Sequence, residues 1–228
     1  MPRYGLGEDL IARVAAVVYW AIGYLAFVAS FLYLVGFVGN RYSFSTVDSG
    51  LQIPEREAAV VDLALIALFG LQHSLMARKW WKRLVPDPWQ RPTYLLATAA
   101  VLAYFYWRWE PIPDLLWRVE HGWWLQALFF VGWALAVWAA FSADHWTTFG
   151  LRQVAAYWRG ERWVDPPFRI RGPYRWGRHP MMVGLAVAFW SAPEMSRGHA
   201  LFAAGMTAYI VAGCWFENRD SRQRTDRL

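Results

Sequence analysis

Long apolar runs alternate with short polar breaks along most of this chain. Residues 11–38 read IARVAAVVYWAIGYLAFVASFLYLVGFV and carry one charge, Arg13. That exceeds the roughly 20 apolar residues a helix needs to cross a bilayer, and it is too long for the core of a signal peptide. It predicts a first transmembrane helix. Residues 58–77 predict a second, and residues 92–107 a third, with Pro92 suited to a first helical turn. Residues 123–143 predict a fourth. After a polar stretch, 144–180, come two shorter apolar segments, 181–195 and 199–216. Fifteen residues is short for a span, so the pair reads as a helical hairpin, with Pro193 and Gly198 marking the turn. The expected fold is all-α: a polytopic transmembrane bundle of four long spans plus a C-terminal hairpin. Residues 1–228 read as one membrane domain.

The polar breaks supply an orientation. Arg78, Lys79, Lys82, Arg83 and Arg91 occupy one loop. Arg152, Arg159, Arg162, Arg169, Arg171, Arg175 and Arg178 occupy 144–180, while the alternate loops hold few basic residues. The positive-inside rule places the basic loops and both termini in the cytoplasm. The net charge of +6 therefore reflects topology and contact with anionic lipid, not nucleic acid. The 17 tryptophans suit interfacial belts. A single cysteine, Cys214, excludes an intrachain disulfide and reads as a small core residue.

One segment departs from ordinary membrane sequence. GPYRWGRHPMMVG, residues 172–184, places Arg175, Arg178 and His179 directly before an apolar helix. Proline disfavours the α conformation in the residue before it and fits a first turn, so a helix starts at about Pro180. Its free N–H groups and the arginines make an anion site. From Pro180 to Pro193 the helix rises about 20 Å, and the return from His199 to Glu217 covers about 27 Å. The second helix overshoots, bringing Glu217, and Asp220 on the same face, beside Arg175, Arg178 and His179. The patch carries both signs of charge and suits a zwitterion. On spacing alone, topology signals and headgroup contacts are the simpler reading of the same arginines.

These residues also carry a resemblance. The Arg-His-Pro helix start, a glycine four positions beyond the proline (Gly184), and FENRD at the end of the next helix resemble the integral-membrane methyltransferases. That superfamily includes the isoprenylcysteine carboxyl and phospholipid methyltransferases. LQHSLMAR at 71–78, DHWTTFGLRQV at 144–154 and FWSAPEMSRGHALFAAGMTAYI at 189–210 look like the bacterial methanethiol S-methyltransferases. Membrane proteins associated with nitrite and nitric oxide reduction share the early histidine-serine pair and match the rest less well. The resemblance covers the chain from about residue 60 onward.

It implies S-adenosylmethionine as cofactor and a small thiol, most simply methanethiol, as substrate, in the bacterial inner membrane. Residues 144–228 become the cofactor-binding part. Tyr174, Arg175, Arg178, His179, Pro180, Gly184, Glu217 and Asp220 become candidate cofactor contacts, with the arginines on the carboxylate and Glu217 on the ammonium or ribose. His73 and His145 are candidate catalytic bases; His73 lies in a predicted span, and Asp144 stands ready to orient His145. His199, on the opposite side, reads as structural. No metal is expected, because no cysteine or histidine cluster has ligand spacing. A lipid or isoprenyl-cysteine acceptor and a non-catalytic membrane subunit are the competing readings. Two departures accompany the match. Met182 replaces a tyrosine usual in the carboxyl methyltransferases, and the chain ends NRDSRQRTDRL where relatives continue with an amphipathic tail.

Overall fold

The computed structural model of the chain describes residues 6–41, 44–167 and 169–225, with side chains over 9–41, 44–78, 80–167 and 169–219. Nine helices and a two-stranded ribbon make up the described residues. In order they are α1 (Leu6–Val38), α2 (Glu55–Met76), α3 (Lys79–Leu84), α4 (Asp87–Arg108), β1 (Leu115–Arg118), α5 (Trp123–Ser142), α6 (His145–Thr148), α7 (Leu151–Trp158), a 3₁₀ turn (Gly172–Arg175), α8 (Pro180–Trp190), β2 (Glu194–Ser196) and α9 (Arg197–Thr225). The polytopic all-α bundle expected from the hydrophobic pattern is the fold observed.

Among the described residues, four helices are long and apolar enough to cross a membrane, over Asp9–Val38, Glu55–Met76, Trp123–Ser142 and Arg197–Arg219. The set differs from the expected one. The predicted third span is a 22-residue helix, but Asp87, Gln90, Arg91 and Arg108 make it too polar to qualify by composition. The last segment, read as half of a short hairpin, is instead a helix of 29 residues. The hydropathy of 199–216 concealed this, because α9 continues as helix through the charged and polar run FENRDSRQR. Pro92 does not sit in a first turn either. Its helix begins at Asp87, where Pro88 takes the early position, and Pro92 is buried inside against the backbone of Gly23.

Packing explains why these helices assemble. Lipid competes equally well for apolar side chains, so close backbone approach is what joins helices in a membrane. On α5 and α8 the approach is made by Gly132 and Gly184: a Cβ on Gly184 would lie 2.6 Å from the Gly132 carbonyl oxygen and 2.7 Å from the Ala136 nitrogen. Elsewhere aromatic rings interlock. Phe37 of α1 meets Phe105, Tyr106 and Trp109 around the end of α4, and Phe202 of α9, with centroids 5.2–6.2 Å apart. These rings lie in one buried cluster with Trp133 and Phe189.

The contacts sort the molecule into two ends. At one end, β1 pairs antiparallel with β2, Arg118 opposite Glu194 and bridged to it at 3.0 Å. This ribbon was not foreseen; it replaces the simple turn expected at Pro193–Gly198, and Gly198 instead lies in the first turn of α9 against the Ile112 backbone. Buried Ser196 donates to Asp48 and accepts the His199 backbone N–H at 2.9 Å. His199 is itself buried and its Nε2–H donates to the Phe189 carbonyl at 3.0 Å, a structural role. At the other end lie the start of α1, the end of α2, the basic segment 78–91, and the polar stretch 144–180. That stretch, expected as loop, folds into α6, α7 and the 3₁₀ turn. Trp20 Nε1–H of α1 donates to the Phe149 carbonyl at 2.9 Å, and Arg13 to the Trp158 carbonyl at 2.9 Å.

Candidate functional site

The basic end of the bundle brings most of the expected cofactor residues together. α8 starts at Pro180, with His179 at its N-cap in a non-helical conformation, φ −130° and ψ 51°. Proline explains both facts: it supplies the first-turn φ and pushes its predecessor out of the α region. α8 is only 11 residues long, about 16 Å, so α9 returns well past its start. Glu217 Oε2 comes to 3.8 Å from His179 Nδ1, and Asn218 Oδ1 to 3.4 Å from His179 Nε2. His179 is mostly covered while the Glu217 side chain is 69% exposed, so the pair forms a floor and an open wall.

Tyr174, in the 3₁₀ turn, borders the same place. Burial raises its phenol pKa above the ordinary value, and the neighbouring charge of Glu217 adds to the rise. Arg175 and Arg178, close to Tyr174 in sequence, are exposed, and among the described residues neither makes an ion pair. The 3₁₀ turn is held from beneath. Gly172, at φ +53°, packs on the Ser142 hydroxyl, and Trp176 sets its ring edge-on to Trp138, centroids 5.3 Å apart. Asn218 and Trp176 were not expected here; FENRD contained the first, but nothing in the sequence marked its reach to His179.

Two expectations change. Gly184 faces α5 in backbone contact, so its missing side chain serves helix packing and not the open patch. Pro180 is buried and acts by starting the helix. The Asp220 side chain lies outside the described residues.

The two candidate bases occupy different surroundings. His145 is buried beside α1, its Nε2 2.8 Å from the Tyr24 hydroxyl and its ring stacked on Phe141 at 4.2 Å. Burial lowers its pKa below the ordinary histidine value. Asp144 does not orient it. With φ +63° the Asp144 carboxylate turns to the Thr147 hydroxyl at 3.0 Å and to Arg152 at 3.4 Å, and Tyr24 takes the expected role. His73 lies in the seam of α2, α4 and α9. Its ring stacks on Phe69 at 5.3 Å and neighbours Tyr94 at 5.1 Å and Tyr209 at 6.3 Å. Its Nδ1 is buried with no hydrogen-bond partner among the described residues. Tyr94 and Tyr209 escaped the sequence reading, because a tyrosine in an apolar run looks like any other interfacial aromatic. Among the described residues no group of three or more histidine, cysteine or acidic side chains is placed to hold a metal ion.

The fold defines a polytopic helical membrane protein, with His179 and Glu217 meeting where α8 begins and α9 passes it. Known relatives narrow that class. A methanethiol S-methyltransferase of Mycobacterium tuberculosis is 42% identical over 215 residues, 91% of this chain and 88% of the relative. One from Pseudomonas deceptionensis is 42% identical over 216 residues, 92% and 82% of the two chains. Nurim from Sus scrofa is more distant, 30% identical over 178 residues, 71% and 67% of the two chains. The chain belongs to the methanethiol S-methyltransferase family, and it is a transferase. No family model matches it, and no solved structure does.

Proposed function

We propose that the chain transfers a methyl group from S-adenosylmethionine to methanethiol, giving dimethyl sulfide. The observation that carries this reading is the meeting of Glu217 and Asn218 with His179 at the start of α8, directly after the segment that holds Arg175 and Arg178. The methyl donor has an α-carboxylate, an α-ammonium, ribose hydroxyls and a sulfonium. The residues present fit it. Planar guanidinium groups match a carboxylate in bidentate fashion, and Arg175 and Arg178 are exposed for that purpose. The first turn of α8 adds backbone N–H groups. Glu217 accepts from an ammonium or from ribose, and Tyr174 lines the wall. When bound, the donor supplies an electrophilic methyl on a cationic sulfur.

The chain's own residues must then position a thiol, remove its proton and exclude water. The thiolate is the nucleophile, and free thiols are mostly protonated near neutral pH. Positioning and desolvation account for the remaining acceleration. A bundle of apolar helices suits both tasks, because a small apolar thiol partitions into it. The weight of basic residues at the patch end favours a cytoplasmic site and cytoplasmic termini in a bacterial inner membrane.

Titration of S-adenosylmethionine into the detergent-solubilised protein and into its Glu217→Ala variant tests the site. Weaker binding by the variant is expected; equal affinity would remove the patch from the proposal.

A further inference from the structure

The seam of α2, α4 and α9 holds a polar and aromatic cluster that helix packing alone does not require. His73 presents a buried Nδ1 with no hydrogen-bond partner among the described residues. Phe69, Tyr94 and Tyr209 surround its ring, Tyr209 edge-on at an interplanar angle of 87°. The Tyr209 hydroxyl lies 3.3 Å from the Ser74 hydroxyl, and its ring rests against Gly70, where a Cβ would come within 3.1 Å. The ring is thus fixed in place by a glycine below it and a hydroxyl at its tip. Tyr209 stands eight positions before Glu217 on α9, about 12 Å along the axis. One helix therefore carries the mixed-charge patch at its surfacing end and this cluster two turns deeper.

Burying a histidine nitrogen without a partner in a membrane interior is costly, and ionisable residues there mark functional paths. In the Nε2–H tautomer this Nδ1 carries a lone pair able to accept a proton from a small donor. Aromatic faces attract a desolvated cation, as they do in sites for quaternary ammonium ligands. A methylated sulfonium is the same kind of cation. His145 also buries an Nδ1 with no partner among the described residues, ringed by Phe141, Trp146 and Phe149, but its Nε2 already meets the Tyr24 hydroxyl at 2.8 Å and it lies on α6, not on a helix packed against α9 as α2 is.

We propose that His73, Tyr94 and Tyr209 form the thiol-activating site, with His73 Nδ1 as the proton acceptor and the two tyrosine rings as the wall facing the sulfonium. This rests on the function proposed above. The thiol S–H bond breaks to His73 Nδ1, the sulfur electron pair forms the new S–C bond, and the sulfonium–methyl bond breaks with its electron pair left on the departing thioether sulfur. The imidazolium then returns its proton to water.

Two measurements test it, one of them independent of turnover. The first compares the affinities of S-adenosylmethionine and S-adenosylhomocysteine, which differ in the sulfonium charge. The wild-type protein is expected to prefer the cation by about tenfold. Tyr209→Leu and Tyr94→Leu should each reduce that preference toward parity, and Tyr209→Phe, which keeps the ring, should retain it. A preference unmoved by both leucine variants would overturn the aromatic wall. The second is the pH profile of kcat in His73→Gln and His73→Asn. A loss of about a hundredfold at neutral pH is expected, shrinking as pH rises and solution supplies the thiolate. Unchanged kcat, or a loss flat in pH, would overturn the proton acceptor. Wild-type protein that neither binds the donor nor forms product would defeat the functional reading; active wild type with an intact His73→Gln profile would defeat this inference alone.

Discussion

Glu217 lies 3.8 Å from His179, at the surfacing ends of two different helices. Its neighbour Asn218 reaches the other nitrogen of the same imidazole from 39 positions along the chain. The length mismatch between α8 and α9 produces this meeting: an 11-residue helix is answered by one of 29.

The first prediction follows directly. Removing a charged hydrogen-bond partner costs roughly 1.5–3 kcal/mol, which is about ten- to a hundredfold in affinity. Arg178→Ala and Glu217→Gln should each weaken S-adenosylmethionine binding within that range, measured by titration calorimetry in detergent, while the melting temperature stays close to wild type.

Gly184 should behave in the opposite way. A methyl group there meets the α5 backbone at 2.6–2.7 Å, contacts that flexible side chains cannot relieve. Gly184→Ala is expected to destabilise the bundle by roughly 1–3 kcal/mol, as overpacking does. Gly177, with nothing within 4 Å of its would-be Cβ, is the control; Gly177→Ala should stay within about 0.5 kcal/mol. Thermal melts of the two variants side by side check both.

The ribbon end gives a third prediction. Ser196 is buried and joins Asp48 to the His199 backbone. Ser196→Ala removes one donor from Asp48, which keeps Asn40 on its other oxygen, and leaves the buried His199 N–H unsatisfied, which should cost roughly 1–3 kcal/mol. Because the patch lies at the other end of the bundle, donor affinity should hold. A parallel fall in affinity would show that the two ends are coupled.

His145 predicts a pH dependence. Its folded pKa lies below the ordinary value of about 6.5 because burial disfavours the charged ring. Below about pH 6.5 the unfolded chain therefore binds more protons than the folded one, and stability falls as pH falls toward the depressed folded pKa. Melting temperatures should drop on acidification through that window. His145→Gln should flatten that part of the curve, on a lower baseline because the Tyr24 bond is altered.

Much of this was legible along the chain because a bilayer constrains sequence so strongly. The long apolar runs gave α1, α2 and α5, and the His179–Pro180 pair gave the start of α8 to the residue. Counting rise per residue placed Glu217 back beside His179. What stayed hidden depended on contacts at a distance. The polar end of α9 reads as tail, since its helix is maintained by continuity with the buried part and not by its own hydropathy. Residues 115–118 pair with 194–196 only because α5 and α8 lie backbone to backbone. Gly184 sits within the motif that marks the cofactor segment, yet its contact is with Gly132 on another helix. Asp144 precedes His145 in sequence but turns away through a positive φ that no pattern announced.

The most direct test of the central claim is dimethyl sulfide in the headspace above purified protein supplied with S-adenosylmethionine and methanethiol. Product above the no-protein level, lost in Glu217→Ala, is the predicted result. Headspace at the no-protein level over correctly folded protein would contradict methyl transfer to methanethiol, and undiminished product from Glu217→Ala would contradict the site.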